Sequence, residues 1–407
     1  MKNISIVFLF IVLAACSNDF LDQATPHIVA PDNLYTNEEG FDAGLNGLYA
    51  LTRAERGGVP TSASSLGGGN NLTAAMMMGG TDIIYGNRAW PDESFLNNWR
   101  EEVIGSGAQT YFTRVWNWLY QTINSANTII NRGENPSDDL DISQEKLNRI
   151  LAEAKTIRAW AYRHLTFLFG DVPLVLEESA GENVRTDWDR TPLAEVRAQI
   201  KTDLEFGVQF LPEDHINDGK VIKAVAQHYL MEQLIMDNQL QDAINLGLAA
   251  INGPKSLVTQ RYGVKASEAG TPYTDMFLDG NANPSEGNTE ALWVFQYAYE
   301  VEGGEGSNIM RRWFMSEYSS TSGGAKGLTV TVDRGGRGNT RLGATSFMLG
   351  LYDRDAQGNI LDDRGGEFAW RRYFTVQEFD RSSAGAVGTK LFLNEKPNDP
   401  QGDRFRV

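Results

Sequence analysis

The chain of 407 residues is 41% hydrophobic and 22% charged, ordinary globular usage and long enough for a sizeable core. Its formal net charge of −17 argues against nucleic acid or anionic lipid headgroups as the main partner and leaves a neutral or cationic ligand as the better fit. A single cysteine excludes an internal disulfide, and nine Trp supply flat apolar faces with polar edges, suited to sugars or to core packing.

The first element is an apolar run from Ile4 to Ala15, twelve residues after a lone positive charge at Lys2. It is short of the roughly 20 residues that a membrane-spanning helix needs, so it reads as the core of an export signal. Leu13-Ala14-Ala15-Cys16 resembles the bacterial lipobox, which makes residues 1–15 a lipoprotein signal peptide and Cys16 the lipidated first residue of the mature protein. The expected membrane contact is then an acyl anchor rather than a span.

Helices follow wherever apolar residues recur at three- and four-residue spacing. Phe112, Val115, Trp116, Leu119, Ile123, Ala126 and Ile130 predict a helix that stops at Arg132-Gly133, with Gly133 left-handed at C′. Leu147, Ile150, Ala154, Ile157, Ala161, Leu165 and Leu168 predict a second, closed by Gly170 before an extended Asp171-Val172-Pro173 exit. A third is expected to start with Thr191 as N-cap and Pro192 at N1 and to end before Pro212. Two more, from about Ile222 to Met236 and from Leu240 to Ile251, form a hairpin across Asp237-Asn238-Gln239. Small residues at Ala224, Ala226, Ala243, Ala249 and Ala250 give that hairpin a tetratricopeptide look, and one such unit cannot bury its apolar face alone.

Residues 53–109 and 254–407 are instead rich in Gly, Ser, Asn and Asp with scattered aromatics, and loops of that length in a compact domain usually carry function. Leu292 to Tyr299 and Leu328 to Val332 are candidate short strands. The fold class is therefore mostly α: helical hairpins over 36–52, 110–132, 143–170 and 191–252, long irregular loops and a few short strands, in one domain over 16–407.

Catalytic signatures are missing. There is no His-Glu-x-x-His, Gly-x-Ser-x-Gly or Gly-Lys-Ser/Thr, the four histidines are scattered, and Glu101-Glu102, Glu177-Glu178 and Asp362-Asp363 are the adjacent acid pairs that any acidic surface carries. The chain is read as a non-enzyme without a cofactor. Asp353, Asp355, Gln357 and Asn359 imitate the start of a calcium loop, but its twelfth position is Arg364 rather than an acid, so an ordinary Asp/Gly turn is the better reading and no metal is expected.

Several segments together resemble the SusD/RagB family, nutrient-binding outer-membrane lipoproteins of Bacteroidetes. They are CSNDFLDQATP at 16–26, FDAGLNGLYA at 41–50, VWNWLYQTINSANTIINR at 115–132, AEAKTIRAWAYRHLTFLFGDVPLV at 152–175, RTPLAEVRAQIKTDLEFGVQFLPE at 190–213, the hairpin at 219–251 and NTEALWVFQYAY at 288–299. The resemblance implies a SusD-like helical fold, a surface-exposed position on the outer membrane, an oligosaccharide or polysaccharide ligand and a SusC-like TonB-dependent transporter as partner. It also implies that the family's final helical pair lies beyond Val407. Peptide or protein capture by a tetratricopeptide-type uptake component is the alternative. Glycan binding asks for loop aromatics flanked by hydroxyl-bonding side chains. Asp82, Tyr85, Asn87, Arg88, Trp90, Asn98 and Trp99 supply these in one loop, and Arg311, Trp313 and Tyr318 in another, whereas Trp116, Trp118 and Trp160 fall within helical periods and are expected in the core.

Overall fold

A computed structural model describes residues 34–57, 80–86, 106–137, 140–179, 184–298, 330–331, 342–352, 355–357, 361–366 and 368–369, with the backbone of 373–375 and 390–392. The first long helix, α1 (Glu38–Thr52), starts where the Asn37 side chain accepts from the Gly40 amide at 2.9 Å, with Glu38 and Glu39 at the positive end of the helix dipole. Phe41, Leu45 and Leu48 are fully buried at i, i+4 and i+7, which sets the face that packs on α2 (Ser106–Glu134) and α3 (Gln144–Phe169). Four further helical segments complete the scaffold. They are α4 (Leu193–Phe210), α5 (Lys223–Met236), α6 (Leu240–Ile251) and the short turn at Ala54–Gly57.

Helix α3 lies between α2 and α4, and most of its residues from Ile150 to Leu165 are buried, with the small residues Ala152, Ala154, Ala159 and Ala161 among them. Trp160 is 1% exposed and meets Trp118 edge-on at 5.6 Å, as expected of tryptophans in helical periods. The main polar intruder, Arg158, is fully accounted for. Its Nε and Nη2 donate to the two Asp203 oxygens at 2.8 Å each, and Nη1 donates to Asn127 Oδ1 at 2.8 Å. One guanidinium thus ties α2, α3 and α4 at the centre of the core. Burial works against its charge, yet the Asp203 bonds hold its affinity for the proton above the ordinary value.

The exit from α3 explains the Gly-Asp-Val-Pro run. Gly170 turns the chain at φ +70°, a conformation that favours glycine, and the Asp171 carboxylate accepts from the Leu193 amide at 2.8 Å. Asp171, rather than Thr191, therefore serves the start of α4. Thr191 is drawn into an antiparallel bridge with Val172, and its hydroxyl accepts from the Leu174 amide. Beyond it, residues 175–179 have no strand partner and use α2 instead. Asn127 Nδ2 donates to the Val175 and Glu177 carbonyls, Asn131 bonds the Leu176 carbonyl and the Glu178 amide, and Asn124 accepts from the Ser179 amide. Three asparagines on one helix face satisfy the backbone as a neighbouring strand would.

Gly133 departs from expectation. It lies inside α2 and is not left-handed; a Cβ there would come within 2.8 Å of Leu151 Cδ2, so glycine permits close approach to α3 instead of ending the helix. The α5–α6 hairpin forms as expected, with Asn238 left-handed at φ 57° in its turn. Of its small residues, Ala224, Ala226 and Ala243 are buried but Ala249 is exposed. On the outer side of α6, Leu240, Ile244, Leu248 and Ile251 remain 52–73% exposed, an apolar stripe.

The candidate strands fall elsewhere. Residues 292–298 make no ladder; Trp293 packs edge-on against Trp160 and Tyr49, and Tyr297 Oη donates to the Arg53 carbonyl, so side chains rather than strand pairing dock this segment. Val330 and Thr331 are likewise outside any strand. The described strands are β1 (Ile84–Gly86), β2 (Leu342–Ala344), β3 (Tyr373–Thr375) and β4 (Lys390–Phe392), paired antiparallel as β1–β2 and β3–β4. Among the described residues, no helix is long and apolar enough to cross a membrane.

Candidate functional site

Two irregular regions that are far apart in sequence meet at β1 and β2. Ile84 faces Ala344, Tyr85 faces Gly343 and Gly86 faces Leu342, and the Thr345 hydroxyl donates to the Asp82 carbonyl at 2.5 Å. Thr345 also caps the short helix Ser346–Gly350 through the Met348 amide at 3.1 Å. One threonine therefore fixes residues 82–86 against the 342–352 segment. Buried Ile84, Leu342 and Ala344 anchor the junction, while Asp82 is exposed and Tyr85 half-buried.

Of the glycan candidates, Asp82 and Tyr85 are thus placed at this junction. Asn87, Arg88, Trp90, Asn98, Trp99, Arg311, Trp313 and Tyr318 lie outside the described residues, as do Cys16, Asp353 and Asn359. Asp355 caps its own turn by accepting from the Gln357 amide at 2.9 Å, and Arg364, the residue at the acid's place in a calcium loop, pairs with Asp362 at 2.6 Å. No group of three or more His, Cys, Asp or Glu suited to a metal ion occurs among the described residues. Of the adjacent acid pairs, Glu178 is engaged by Arg132 at 3.0 Å.

A second surface escaped the sequence reading. Tyr273 and Phe277 stack edge-on at 5.0 Å, with Phe277 67% exposed. Burial first, and then the Tyr352 phenol, push the Tyr273 phenol above its ordinary value, while Arg364 works in the opposite direction. Tyr352 in turn lies so close to Gly365 that a Cβ there would come within 2.4 Å of its ring. The Asp362–Arg364 pair is a fork, with Nε and Nη2 reaching both carboxylate oxygens. Aromatic faces beside a guanidinium and a carboxylate are groups that stack on a sugar and bond its hydroxyls. The available sequence signal was the i, i+4 aromatic pair in Pro272-Tyr-Thr-Asp-Met-Phe277.

Comparison with known proteins bears on this arrangement. Residues 70–226 match a SusD-like family profile described as "Starch-binding associating with outer membrane", a span that includes β1, residues 82–99 and the helices from α2 to the start of α5. The fold matches surface glycan-binding protein A from Bacteroides thetaiotaomicron, solved in complex with laminarihexaose, with a TM-score of 0.60 over 89% of this chain and 69% of that one, at 14% identity. This chain therefore resembles SusD-like proteins, in sequence over residues 70–226 and in its fold. A laminarin-binding SusD-like protein matches with a TM-score of 0.59 at 17% identity, over 92% of this chain and 73% of that one. SusD-like protein P25 of Formosa agariphila is 26% identical over 307 residues, 73% of this chain and 52% of P25. The chain thus spans about half the length of the curated relatives it matches. The mostly helical, tetratricopeptide-like scaffold expected from the sequence is the one observed.

Proposed function

We propose that this protein is a noncatalytic, surface-exposed outer-membrane lipoprotein, anchored through Cys16, that captures an oligosaccharide and passes it to a TonB-dependent transporter. The observation that carries the reading is the match of residues 70–226 to a starch-binding, outer-membrane-associated family. The β1–β2 junction supports it, because it joins the two irregular regions in which the aromatic and amide candidates lie. Capture would work by stacking of a sugar face on loop aromatics and by hydroxyl bonds to Asp, Asn and Arg side chains, with no bond broken. The solved relatives that bind laminarin or laminarihexaose make a neutral β-glucan the first ligand to try. The test is affinity gel electrophoresis against neutral and acidic polysaccharides, with Trp90→Ala and Trp99→Ala variants alongside. Retardation by one glycan class, lost in a variant and without release of reducing ends, is the expected result.

Peptide or protein capture is the second reading. The exposed stripe of Leu240, Ile244, Leu248 and Ile251 on α6 favours it, since an apolar helix face of this kind suits another helix better than a sugar. Failure of every glycan to retard the folded protein would move the weight to this reading.

A further inference from the structure

The helical scaffold holds a polar recess between α1, α3 and the segment that follows α4. Asp42 and Asn46, one turn apart on α1, form one wall, and Arg149 and Glu153, one turn apart on α3, form the floor. The segment from Pro212 to Val221 closes the third side with Ile216 and Lys220, leaving about 270 Å³. Below it, Tyr49 Oη donates to Glu153 Oε2 at 2.8 Å and accepts from the Val221 amide at 3.0 Å, so all three walls are pinned through one phenol.

The charges of the lining balance. Glu153, with its side chain 2% exposed, receives Arg149 at 2.6 Å and Lys220 at 3.5 Å, and Asp42 offsets the second cation. A free anion or cation therefore gains little here. Arg149 spends a single guanidinium nitrogen on Glu153, and the Lys220 ammonium rests 4.7 Å over the Tyr49 ring. Asp42 and Asn46 make no hydrogen bond among the described residues. The recess thus interleaves free donors and acceptors within one small volume, beside the apolar surfaces of Pro212 and Ile216. A hydroxyl both donates and accepts, and a pyranose carries several around an apolar C–H face.

From this geometry we infer that the recess is a second binding site, which takes a single neutral sugar ring or the end of a neutral glycan chain. Its volume lies just below the ~300 Å³ at which ligand pockets ordinarily begin, which suits one ring rather than a chain lying lengthwise. None of the loop candidates is among the residues that line the recess. Ile216 is 72% exposed at the rim, so enlarging it blocks entry without touching the core.

The test uses the full nitrogen-15-labelled chain in detergent micelles, titrated with methyl β-glucoside while the Asn46 and Asn217 side-chain amides are followed. Saturable shifts at both amides are expected, absent in Ile216→Trp and weakened at least severalfold in Asp42→Ala, with unchanged thermal midpoints. No saturable shift, shifts that survive Ile216→Trp, or shifts with glucuronate but not with the neutral glucoside would overturn the inference. The outcome is distinguishable from that of the capture reading. Polysaccharide retardation without shifts at these amides removes this site alone, whereas shifts without retardation remove loop capture and leave the recess.

Discussion

The scaffold around α3 and the irregular surface around β1 and β2 solve opposite problems. In the scaffold, the polar groups that tie the core together are spent internally: Arg158 on Asp203 and Asn127, and the α2 asparagines on the backbone of residues 175–179. On the irregular surface, aromatic and charged groups stay half or wholly exposed, as with Phe277, Tyr352 and Arg364, and three-residue strands provide the order. Groups satisfied internally stabilise, and exposed groups are available to a ligand. Substitutions should therefore sort cleanly, with large stability losses and no direct effect on recognition in the first region, and the reverse in the second.

The largest effect should come from Arg158→Leu, which strands the fully buried Asp203 carboxylate. A loss of about 3–5 kcal/mol is expected in urea unfolding, with much of it recovered in the double variant Arg158→Met/Asp203→Leu. If the single variant costs under ~1 kcal/mol, the buried network is not what organises the scaffold. Next is Gly207→Val on α4. A Cβ there would meet Thr156 Oγ1 at 2.5 Å and Ala226 Cβ at 3.0 Å, so overpacking of about 1–3 kcal/mol should appear in the same measurement.

Smaller still is Thr345→Val, which removes both the bond to the Asp82 carbonyl and the cap on Met348. Its cost of about 1–2 kcal/mol should be local, seen as faster amide exchange at residues 83–86 and 342–348 while the exchange of α3 is unchanged. The smallest effect is a pH dependence at His215. Burial first, and then Lys255, hold its pKa below the ordinary 6.5, so the fold favours the neutral ring. Because the folded pKa is depressed, the contribution is fully present above 6.5 and is lost as pH falls through the folded value. His215→Gln should flatten the slope of stability against pH below 6.5.

Much of the scaffold was legible because helical burial writes a 3.6-residue period into the sequence, as in the run from Val115 to Ile130 or from Leu147 to Leu165. Helix ends were legible only where one residue decides them. Gly170 was read correctly, but Gly133 was misread because close packing against Leu151 and a left-handed C-cap ask for the same residue. The start of α4 was misassigned because its partner, Asp171, is 22 residues away in sequence. The short strands were invisible for a related reason: β1 and β2 are three residues each and exist only through pairing across some 250 residues of chain. The recess between α1, α3 and the 212–221 segment was hidden likewise, since Asp42, Glu153 and Lys220 carry no shared motif and meet only in the fold.

The most direct test of the account is binding of the intact protein to neutral β-glucan, compared between wild type, Arg158→Met/Asp203→Leu and the Trp90→Ala/Trp99→Ala pair on one affinity gel. The account predicts retardation of the wild type and of the core variant, and loss of retardation in the tryptophan pair at an unchanged thermal midpoint. A folded wild-type protein that no neutral glycan retards, or a tryptophan pair that binds as the wild type does, would contradict the division between a structural scaffold and a recognising loop surface.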